Sequence, residues 1–494
     1  RPPTMPPASS EDRTPESRAR GLPLEPSATI MHDLARRVEE SIVDHLASLD
    51  ARPAADTEGG AALAKSLAQA AAPEKGQPLD ELLSLVFDRA LAKGFGTTSP
   101  GYMAYIPGGG LYASALAAFI AAAVNRYTGL FAAAPGLVKL ESNVIDWFCE
   151  WVGYPHSAAG ILTSGGSLAN FTALVAARDA LLGSDLRSAV IYASDQTHHS
   201  VIKAARLAGL PAASVRAVPT DPSFRLSCAA LVEMIAEDRS AKRRPFLIAG
   251  NAGTTNSGAV DPLEELSAIA EREGLWFHVD AAYGGFFVLT ASGRERLRGI
   301  ANADSIVLDP HKGLFLPYGT GCLLVRDGAA LRNAHQSSAL YLPKMQDDPE
   351  LVDFCELSPE LSRPYRGLQV WLPLMLYGVA EFRRNLDEKL ELAGWAANAL
   401  HDIEEIEVLA EPQLSIVAFA LRSRSTSPQA IAKANEDTRG LLAAINRRQR
   451  VHLTGTMLAG RFAIRICILS FRTHQEHVAA ALEDIRAAVS ERTG

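Results

Sequence analysis

Hydrophobic positions along the chain recur with two different periods. Over residues 29–49 and 79–91 they recur at helical spacing, so both segments are predicted to be amphipathic helices. Farther along, short apolar runs alternate with helical patterns, which is typical of a doubly wound α/β sheet. The predicted strands are residues 189–193, 214–218, 245–249, 275–279, 305–308 and 322–325.

Helices are predicted to connect these strands. They begin near Ser200, Ser227 and Pro262. Asp261 is predicted to cap the last of the three, with Glu264 in the position that completes a capping box.

The chain is predicted to have four parts. Residues 1–26 are rich in Pro, Ser, Arg and Glu, which is typical of a disordered leader. Residues 27–110 are predicted to form an N-terminal helical segment, and residues 111–377 a large domain. The last part, residues 378–494, is predicted to be a small α/β domain with a helix over 381–400, strands over 415–421 and 462–469, and a helix after residue 473.

Residues 111–124 form the most apolar stretch of the chain after the leader. A helix needs roughly twenty apolar residues to cross a bilayer, and this run is shorter. A buried helix of a soluble protein is the expectation, and no membrane partner is predicted.

Two predicted strands end in polar clusters that can carry chemistry. Asp280 follows the strand over 275–279, and Lys312 follows the strand over 305–308. Ligands of open α/β sheets bind at the carboxyl ends of strands, so the two side chains are expected to face one ligand. A lysine can hold the aldehyde of pyridoxal phosphate as a Schiff base, and an aspartate can keep its pyridine nitrogen protonated. Either residue alone would ordinarily be a surface charge or a turn residue.

A phosphate site is predicted in the same chain. Residues 160–174 contain a glycine turn that opens a helix, with Gly165, Gly166 and Ser167 at its start. Free N–H groups and the dipole at a helix N-terminus favour an anion. A glycine-rich turn alone is weak evidence, but together with the lysine and the aspartate it predicts a pyridoxal phosphate enzyme.

Charge and cysteine content narrow the classes of partner and compartment. The net charge of −8 gives no electrostatic reason to expect nucleic acid as a partner. The five cysteines lie far apart, and the sequence has no C-x-x-C or H-x-x-x-H spacing, so no metal site is predicted. Buried thiols in a reducing compartment are the simplest interpretation, and a cytoplasmic location is expected.

At these residues the sequence resembles the group II pyridoxal-phosphate-dependent amino-acid decarboxylases, which include aromatic-L-amino-acid and glutamate decarboxylases. The resemblance runs from about Ser99 to about Arg366 and more faintly to the C-terminus. It rests on Thr-Ser-Gly-Gly-Ser at 163–167, His-Val-Asp-Ala-Ala-Tyr-Gly-Gly at 278–285 and Asp-Pro-His-Lys at 309–312. It implies the aspartate-aminotransferase fold (fold type I), decarboxylation of an L-amino acid, and a homodimer with its sites at the interface.

The resemblance also implies roles around the cofactor. His198 would stack on the ring near the substrate carboxylate, and its protonation would tune the pH response. His311 would help to bind the phosphate, Thr254 would contact the cofactor or substrate, and Ala282 would complete the cofactor-binding set. A carboxylate at Asp309 would repel a nearby phosphate unless it faces away from it.

The implied substrate pocket includes residues from two segments. Tyr105 and Gly108 match the segment that lines the amino-acid pocket. Gly108 stands where aromatic-amino-acid decarboxylases have a threonine, which implies a more open site. Tyr127 and Gly129 match a segment that reaches into the partner subunit's site, and their character favours an aromatic or otherwise apolar substrate.

A third segment, residues 340–366, resembles a mobile catalytic loop. Phe354 matches the loop tyrosine that protonates the substrate carbon in aromatic-amino-acid decarboxylases, and phenylalanine has no proton to give. In plant relatives this change accompanies decarboxylation coupled to oxidative deamination, which yields an aldehyde. Tyr341 or water would be the alternative donor, and a packed loop anchor is the alternative interpretation of Phe354.

Three alternatives to simple decarboxylation stay open on the sequence. They are the aldehyde-forming reaction, another pyridoxal phosphate reaction such as aldol cleavage or transamination, and a cofactor-binding regulatory protein. Carbon dioxide, amine, aldehyde and peroxide are the products that distinguish them.

Overall fold

The computed structural model describes residues 22–336, 348 and 351–493 of the 494-residue chain. The predicted leader therefore lies almost wholly outside the described residues, and so does Tyr341. The chain divides into two compact units, residues 1–96 and residues 97–494.

The first unit is mainly helical. Its elements are α1 (Ala28–Ala47), β1 (Ala55–Asp56), α2 (Gly60–Ser66), α3 (Leu79–Ser84) and β2 (Gly94–Phe95). The Ser27 side chain caps α1 by accepting a hydrogen bond from the N–H of Ile30 at 3.4 Å. Both helices predicted in this segment are present, the second continuing past α3 as a π-helical turn over Leu85–Ala90. None of the three α-helices buries a residue, so this unit has little hydrophobic core of its own.

A seven-stranded sheet organises the second unit. Its strands are β3 (Ala159–Thr163), β4 (Ala189–Ser194), β5 (Val215–Val218), β6 (Arg244–Asn251), β7 (Trp276–Asp280), β8 (Ser305–Leu308) and β9 (Gly321–Val325), in the order β3-β9-β8-β7-β6-β4-β5.

Strands β5, β4, β6, β7 and β8 run parallel, and β9 pairs antiparallel with both β8 and β3. The predicted α/β sheet is confirmed, with each predicted strand end within two residues of its observed place. β3 was not predicted, because its apolar run is short and merges into the glycine turn.

Helices cover both faces of this sheet, and most of the strand residues are buried between them. The helices are α4 (Tyr112–Val124), α5 (Pro135–Val152), α6 (Gly166–Leu182), α7 (His199–Leu207), α8 (Cys228–Ser240), α9 (Leu263–Glu273), α10 (Ala291–Arg296), α11 (Pro310–Gly313), α12 (Gly328–His335) and α13 (Gly367–Tyr377). None of the helices in the described parts of the chain is both long enough and apolar enough to span a bilayer.

Two local predictions about these helices are wrong. Pro262, not Asp261, occupies the N-cap position of α9. The Asp261 carboxylate instead accepts hydrogen bonds from the N–H groups of Leu226 at 2.7 Å and Asn251 at 2.8 Å, so it ties a loop to the end of β6.

The helix predicted over 111–124 is present as α4, but it is not buried. Its outer face exposes Phe119 by 64% and Val124 by 51%, with Leu116 and Ile120 beside them. Apolar patches of this kind are unusual on the free surface of a single soluble chain.

The rest of the second unit is built on a four-stranded antiparallel sheet. Its elements are α14 (Val379–His401), β10 (Ile406–Ala410), β11 (Ile416–Leu421), α15 (Pro428–Asn446), β12 (Thr454–Leu458), β13 (Arg461–Cys467) and α16 (Gln475–Thr493), and the strand order is β10-β11-β13-β12. Ile464, Ile466 and Phe419 pack against apolar residues of these helices in one hydrophobic cluster.

Candidate active site

The carboxyl ends of the parallel strands of the large sheet meet at one edge. β6 ends at Asn251 and β7 at Asp280, while β8 is followed by the one-turn helix α11, which carries Lys312. A cavity of about 250 Å³ opens at this edge. Its lining residues are Ser164, Gly165, Gly166, Ser167, Leu168, Asn170, His198, Ser200, Asn251, Gly253, Thr254, Thr255, Asp280, Ala282, Tyr283, Asp309, His311 and Lys312. The structure thus brings together every residue predicted to bind the cofactor.

Asp280 lies at the floor of this cavity and is 8% exposed. Its carboxylate accepts a hydrogen bond from Asn170 Nδ2 at 2.9 Å and one from the N–H of Ala282 at 3.2 Å. These two donors fix the orientation of the carboxylate, which faces the cavity.

Lys312 is paired with Asp309, whose Oδ2 lies 2.8 Å from Nζ. Burial by itself would lower the pKa of Lys312, but Asp309 and then Asp280 outweigh it, so the pKa lies above the ordinary value. Asp309 also lines the cavity, and its carboxylate is directed at the Lys312 ammonium group. The ammonium group attracts it inward. Its other oxygen, Oδ1, is buried without a hydrogen-bond partner.

The glycine turn forms a cradle at the start of α6. Gly165 is the N-cap and has no side chain to occupy the first-turn N–H groups. Its φ of +153° and its close approach to Gly321, where a Cβ would lie 2.5 Å from the Cα of Gly165, leave room only for glycines. His311 borders the cradle, and its Nδ1–H donates to the carbonyl of Thr320 at 2.6 Å, which fixes the ring.

His198 is the N-cap residue of α7 and lines the cavity. Its Nδ1 accepts a hydrogen bond from the N–H of Ser200 at 3.3 Å and lies 2.7 Å from the Ser200 hydroxyl. Burial lowers the pKa of His198. The neighbouring His199 is exposed, and its ring centroid lies 4.2 Å from that of His198.

Thr254 also lines the cavity and is 2% exposed. Its hydroxyl lies 2.8 Å from the hydroxyl of Ser257, so the loop after β6 is held by its own side chains. The position is compatible with a contact to a ligand in the cavity.

The residues predicted to bind substrate are not among those that line the cavity. Tyr105 is 52% exposed, and its backbone is held by Arg465, which donates to its carbonyl at 3.3 Å. Arg465 is itself buried and also donates to Thr454 Oγ1 at 3.1 Å. The small sheet therefore positions the segment that carries Tyr105.

The more open site expected at Gly108 is not present. A Cβ built at this position would lie 2.0 Å from the carbonyl oxygen of His311. The backbone of Gly108 therefore packs directly on the segment that carries Lys312, and the space of the missing side chain is filled by that backbone.

Tyr127 and Gly129 contact the segment around Phe354 in the same chain. The hydroxyl of Tyr127 donates to the carbonyl of Leu361 at 3.1 Å, and the N–H of Cys355 donates to the carbonyl of Gly129 at 3.0 Å. The prediction that Tyr127 and Gly129 reach into the partner subunit's site involves a second chain, and it stays a prediction.

The placement of Phe354 in the substrate pocket is wrong. Phe354 is 1% exposed and packs in the same hydrophobic cluster as Leu357. The guanidinium of Arg363 lies 5.0 Å from its ring centroid. The alternative interpretation, a packed loop anchor, is the one that the structure supports.

Asn170, Ser200 and Asn251 are among the polar residues of the cavity that were missed from the sequence. Asn170 follows the glycine turn within the first turns of α6, and Asn251 ends β6, so the strand-end rule would have selected Asn251. No sequence signal pairs Asn170 with Asp280, because that contact joins distant segments.

Pyridoxal phosphate fits this cavity. The site has an amine for its aldehyde, a carboxylate for its pyridine nitrogen, and a glycine cradle at a helix N-terminus for its phosphate. Within the described residues, no group of three His, Cys, Asp or Glu side chains is placed to bind a metal ion.

Comparisons with known proteins agree with this assignment. The family model of the pyridoxal-dependent decarboxylase conserved domain matches residues 62–422. The chain is 35% identical to an aromatic-L-amino-acid decarboxylase of Bacillus atrophaeus over 470 residues, which covers 95% of this chain and 97% of the relative.

Two solved structures are similar over nearly the whole fold. The crystal structure of Oryza sativa TDC with PLP and tryptamine superposes with a TM-score of 0.89 at 27% identity, covering 96% of this chain and 100% of that one. The crystal structure of Rhodiola rosea 4-hydroxyphenylacetaldehyde synthase gives 0.86 at 26% identity, covering 94% and 99%. The chain belongs to the pyridoxal-dependent decarboxylase family, and it is a pyridoxal phosphate enzyme that removes the carboxyl group of an amino acid.

Proposed function

We propose that the substrate is an aromatic L-amino acid and the product its amine. One observation carries the proposal: a single cavity holds the amine of Lys312, the carboxylate of Asp280 and the ring of His198 beside a helix N-terminus. The names of the Bacillus atrophaeus relative and of the rice complex with tryptamine favour an aromatic side chain.

In this proposal, each cavity residue has a defined task. Lys312 would hold the cofactor by its amine, and Asp280 would face its ring nitrogen and keep it protonated. The phosphate would be bound by Gly165, Gly166, Ser167 and His311. The bound cofactor supplies the electron sink that accepts the electrons of the broken carbon–carboxylate bond.

Three further residues would complete the site. His198, Ala282 and Thr254 line the same cavity. The ring of His198 and the side chain of Ala282 would pack against the bound cofactor, and the Thr254 hydroxyl would donate a hydrogen bond to the cofactor or substrate. Such contacts would orient the substrate carboxylate, and orientation decides which bond breaks.

We also propose that the enzyme is a homodimer. Besides the apolar outer face of α4, α13 exposes Met375, Leu376 and Tyr377 near its end. The two helices are in contact, since the Ser114 hydroxyl of α4 donates to the carbonyl of Gln369 in α13 at 2.8 Å. A second copy is the occupant that such a surface fits. The N-terminal helical segment, predicted over 27–110, would add to the interface. Its helices bury none of their residues in one chain.

In the dimer, the substrate pocket would combine both chains. Tyr105 and Gly108 would border the site of their own subunit, and Tyr127 and Gly129 would face the partner's substrate. A cytoplasmic location is part of the same proposal, and the five free cysteines of the described chain support it. The assignment of residues 111–377 and 378–494 to a large and a small domain stays a proposal.

Incubation of the reconstituted enzyme with single amino acids tests the substrate class. Carbon dioxide and amine should form from tryptophan, tyrosine, phenylalanine or DOPA and not from glutamate. Turnover of glutamate alone would overturn the aromatic assignment. The Lys312→Ala variant, which lacks the amine, is the negative control for turnover.

Formation of an aldehyde is the second candidate function. The similarity to the Rhodiola rosea aldehyde synthase favours it, whereas the buried Phe354 gives it no support. That reaction consumes oxygen and releases ammonia and hydrogen peroxide with carbon dioxide. Peroxide and aldehyde in proportion to carbon dioxide would establish it, and amine alone would exclude it.

A further inference from the structure

A chain of buried hydrogen bonds runs behind the cavity, across the strands of the large sheet. The indole Nε1–H of Trp276 donates to Ser305 Oγ at 2.8 Å. The same hydroxyl lies 2.8 Å from His278 Nδ1, and His278 Nε2 lies 2.8 Å from Asn170 Oδ1. Ser305, His278 and Asn170 are each at most 3% exposed, so water does not compete for these bonds.

At Asn170 this series of hydrogen bonds divides into two branches, and both reach the cavity. Its Nδ2 group donates to Asp280 Oδ2 at 2.9 Å and to Ser200 Oγ at 2.9 Å. The Ser200 hydroxyl in turn lies 2.7 Å from His198 Nδ1. Both N–H bonds and the carbonyl of the Asn170 amide are thus used, which fixes its orientation.

The positions of the protons follow from the donors and acceptors at the two ends. An ionised Asp280 can only accept, so the amide nitrogen of Asn170 must face it and the amide oxygen must face His278. His278 Nε2 therefore carries a proton and donates it to Asn170 Oδ1.

At the other end, Ser305 accepts from the indole and has its own proton to donate. That proton points to His278 Nδ1, which must be unprotonated to accept it. His278 is then neutral, and burial accordingly lowers its pKa to about 4 although the charge of Asp280 acts in the opposite direction.

The second branch is determined in the same way. Ser200 Oγ accepts from Asn170, so its hydroxyl proton is directed to His198 Nδ1, and the N–H of Ser200 is directed to the same nitrogen. A proton on His198 Nδ1 would face two donors and displace both hydrogen bonds. We propose that Asn170 and Ser200 are positioning residues that hold His198 as the uncharged Nε2–H tautomer while the same amide orients the Asp280 carboxylate.

Charged groups from several elements act on His198. Burial acts first and lowers the pKa of His198. Asp280 from β7 and Asp309 from the end of β8 raise it, while His199 and Lys312 lower it. The net direction is downward, in agreement with the hydrogen bonds.

This inference rests on the proposed function for its chemical meaning. An imidazolium beside Asp280 would share the negative charge that the pyridine nitrogen needs. A neutral His198 leaves that charge to the cofactor and still offers an Nε2–H as a donor. In this proposal the hydrogen bonds favour the uncharged ring of His198, whereas the sequence predicted that protonation of His198 tunes the pH response.

Nitrogen NMR of the full chain with labelled histidine tests the proposal, both with and without pyridoxal phosphate. The His198 signals are assigned by their loss in His198→Gln. We expect a protonated Nε2 and a bare Nδ1 for both His198 and His278 from pH 6 to 9. A protonated Nδ1 on His198, or a charged ring at pH 7, would overturn the proposal.

Substitution of Ser200 separates positioning from simple packing. Ser200→Ala removes one donor to Nδ1, so the pKa of His198 should rise by about one unit, whereas Ser200→Thr, which keeps the hydroxyl, should retain the native value. Equal pKa values for the alanine variant and the wild type would contradict the assignment.

Asn170→Asp tests both branches at once. It replaces a donor with a second carboxylate beside Asp280, and one proton must then be shared by the two groups. The affinity for pyridoxal phosphate, measured by absorbance, should fall at least tenfold and become pH-dependent, while Asn170→Ala should lose affinity without a new pH dependence. A pH-independent affinity in Asn170→Asp would contradict the role of Asn170. If the wild type does not bind the cofactor, the proposed function fails, whereas the histidine tautomers in the cofactor-free chain still decide the inference.

Discussion

At the edge of the large sheet, the polar side chains find hydrogen-bond partners within one chain. On the outer face of α4, apolar side chains are left exposed. Behind the cavity, Asn170 uses all of its hydrogen-bonding groups, and the buried Asp280 has donors from α6 and from its own loop. On α4, Phe119 is 64% exposed, and the side chains around it are apolar too. The cofactor-binding residues thus lie together in one chain, and in the proposed dimer a second subunit completes the substrate half of the site.

Loss of the amine should have the largest effect, because it removes the attachment point of the cofactor. Lys312→Ala should reduce turnover by several orders of magnitude and abolish the visible absorbance of the bound cofactor. Lys203→Ala, a change at an exposed lysine of α7, is the matched control and should keep both. Undiminished turnover in Lys312→Ala would refute the assignment.

Loss of the carboxylate should rank next. Asp280→Asn keeps the shape of the side chain but not its charge, so we expect kcat to fall about 10³-fold. The cofactor should still attach to Lys312. Thermal denaturation measured alongside distinguishes a loss of chemistry from a loss of fold. A near-normal kcat would remove Asp280 from this role.

Disruption of the α4 face should affect the substrate half alone. Phe119→Glu should convert the dimer to monomers by light scattering and lower turnover at least tenfold, while binding of pyridoxal phosphate is retained. Leu207→Glu places the same charge at a side chain of equal exposure, 64%, and should change neither property. A wild-type chain that is a fully active monomer would contradict the proposed division of the site.

The smallest expected effect concerns Asp309. Lys312 must lose its proton to react with an aldehyde, and Asp309 helps to raise its pKa, so attachment of the cofactor to the empty protein should accelerate as the pH rises. Asp309→Asn removes one of these charges and should shift that pH profile to lower pH by about one unit. Asp185→Asn, at an exposed carboxylate, should leave the profile in place. An unshifted profile in Asp309→Asn would show that the pair has no influence on the amine.

The sequence predicted the residues whose place depends on local rules. Asp280 and Lys312 follow apolar runs, and the carboxyl ends of parallel strands must meet at one edge, so their proximity could be expected. The glycine turn at Gly165 likewise has a local cause, the start of a helix.

Residues whose place depends on distant contacts were missed or misplaced. Asn170 reaches Asp280 only because α6 crosses the end of β7, and no sequence pattern shows that crossing. Gly108 was expected to open the site, but the carbonyl of His311 occupies the space. Phe354 was misplaced for the same reason, since its burial beside Arg363 is a property of the folded chain. The ion pair of Asp309 with Lys312 was not predicted either.

Reductive trapping of the bound cofactor tests the central claim most directly. The protein is loaded with pyridoxal phosphate, reduced with borohydride, digested and examined by mass spectrometry. Our account predicts one modified peptide, with the pyridoxyl group on Lys312. A chain that takes up no cofactor, or one modified mainly at a different lysine, would contradict it.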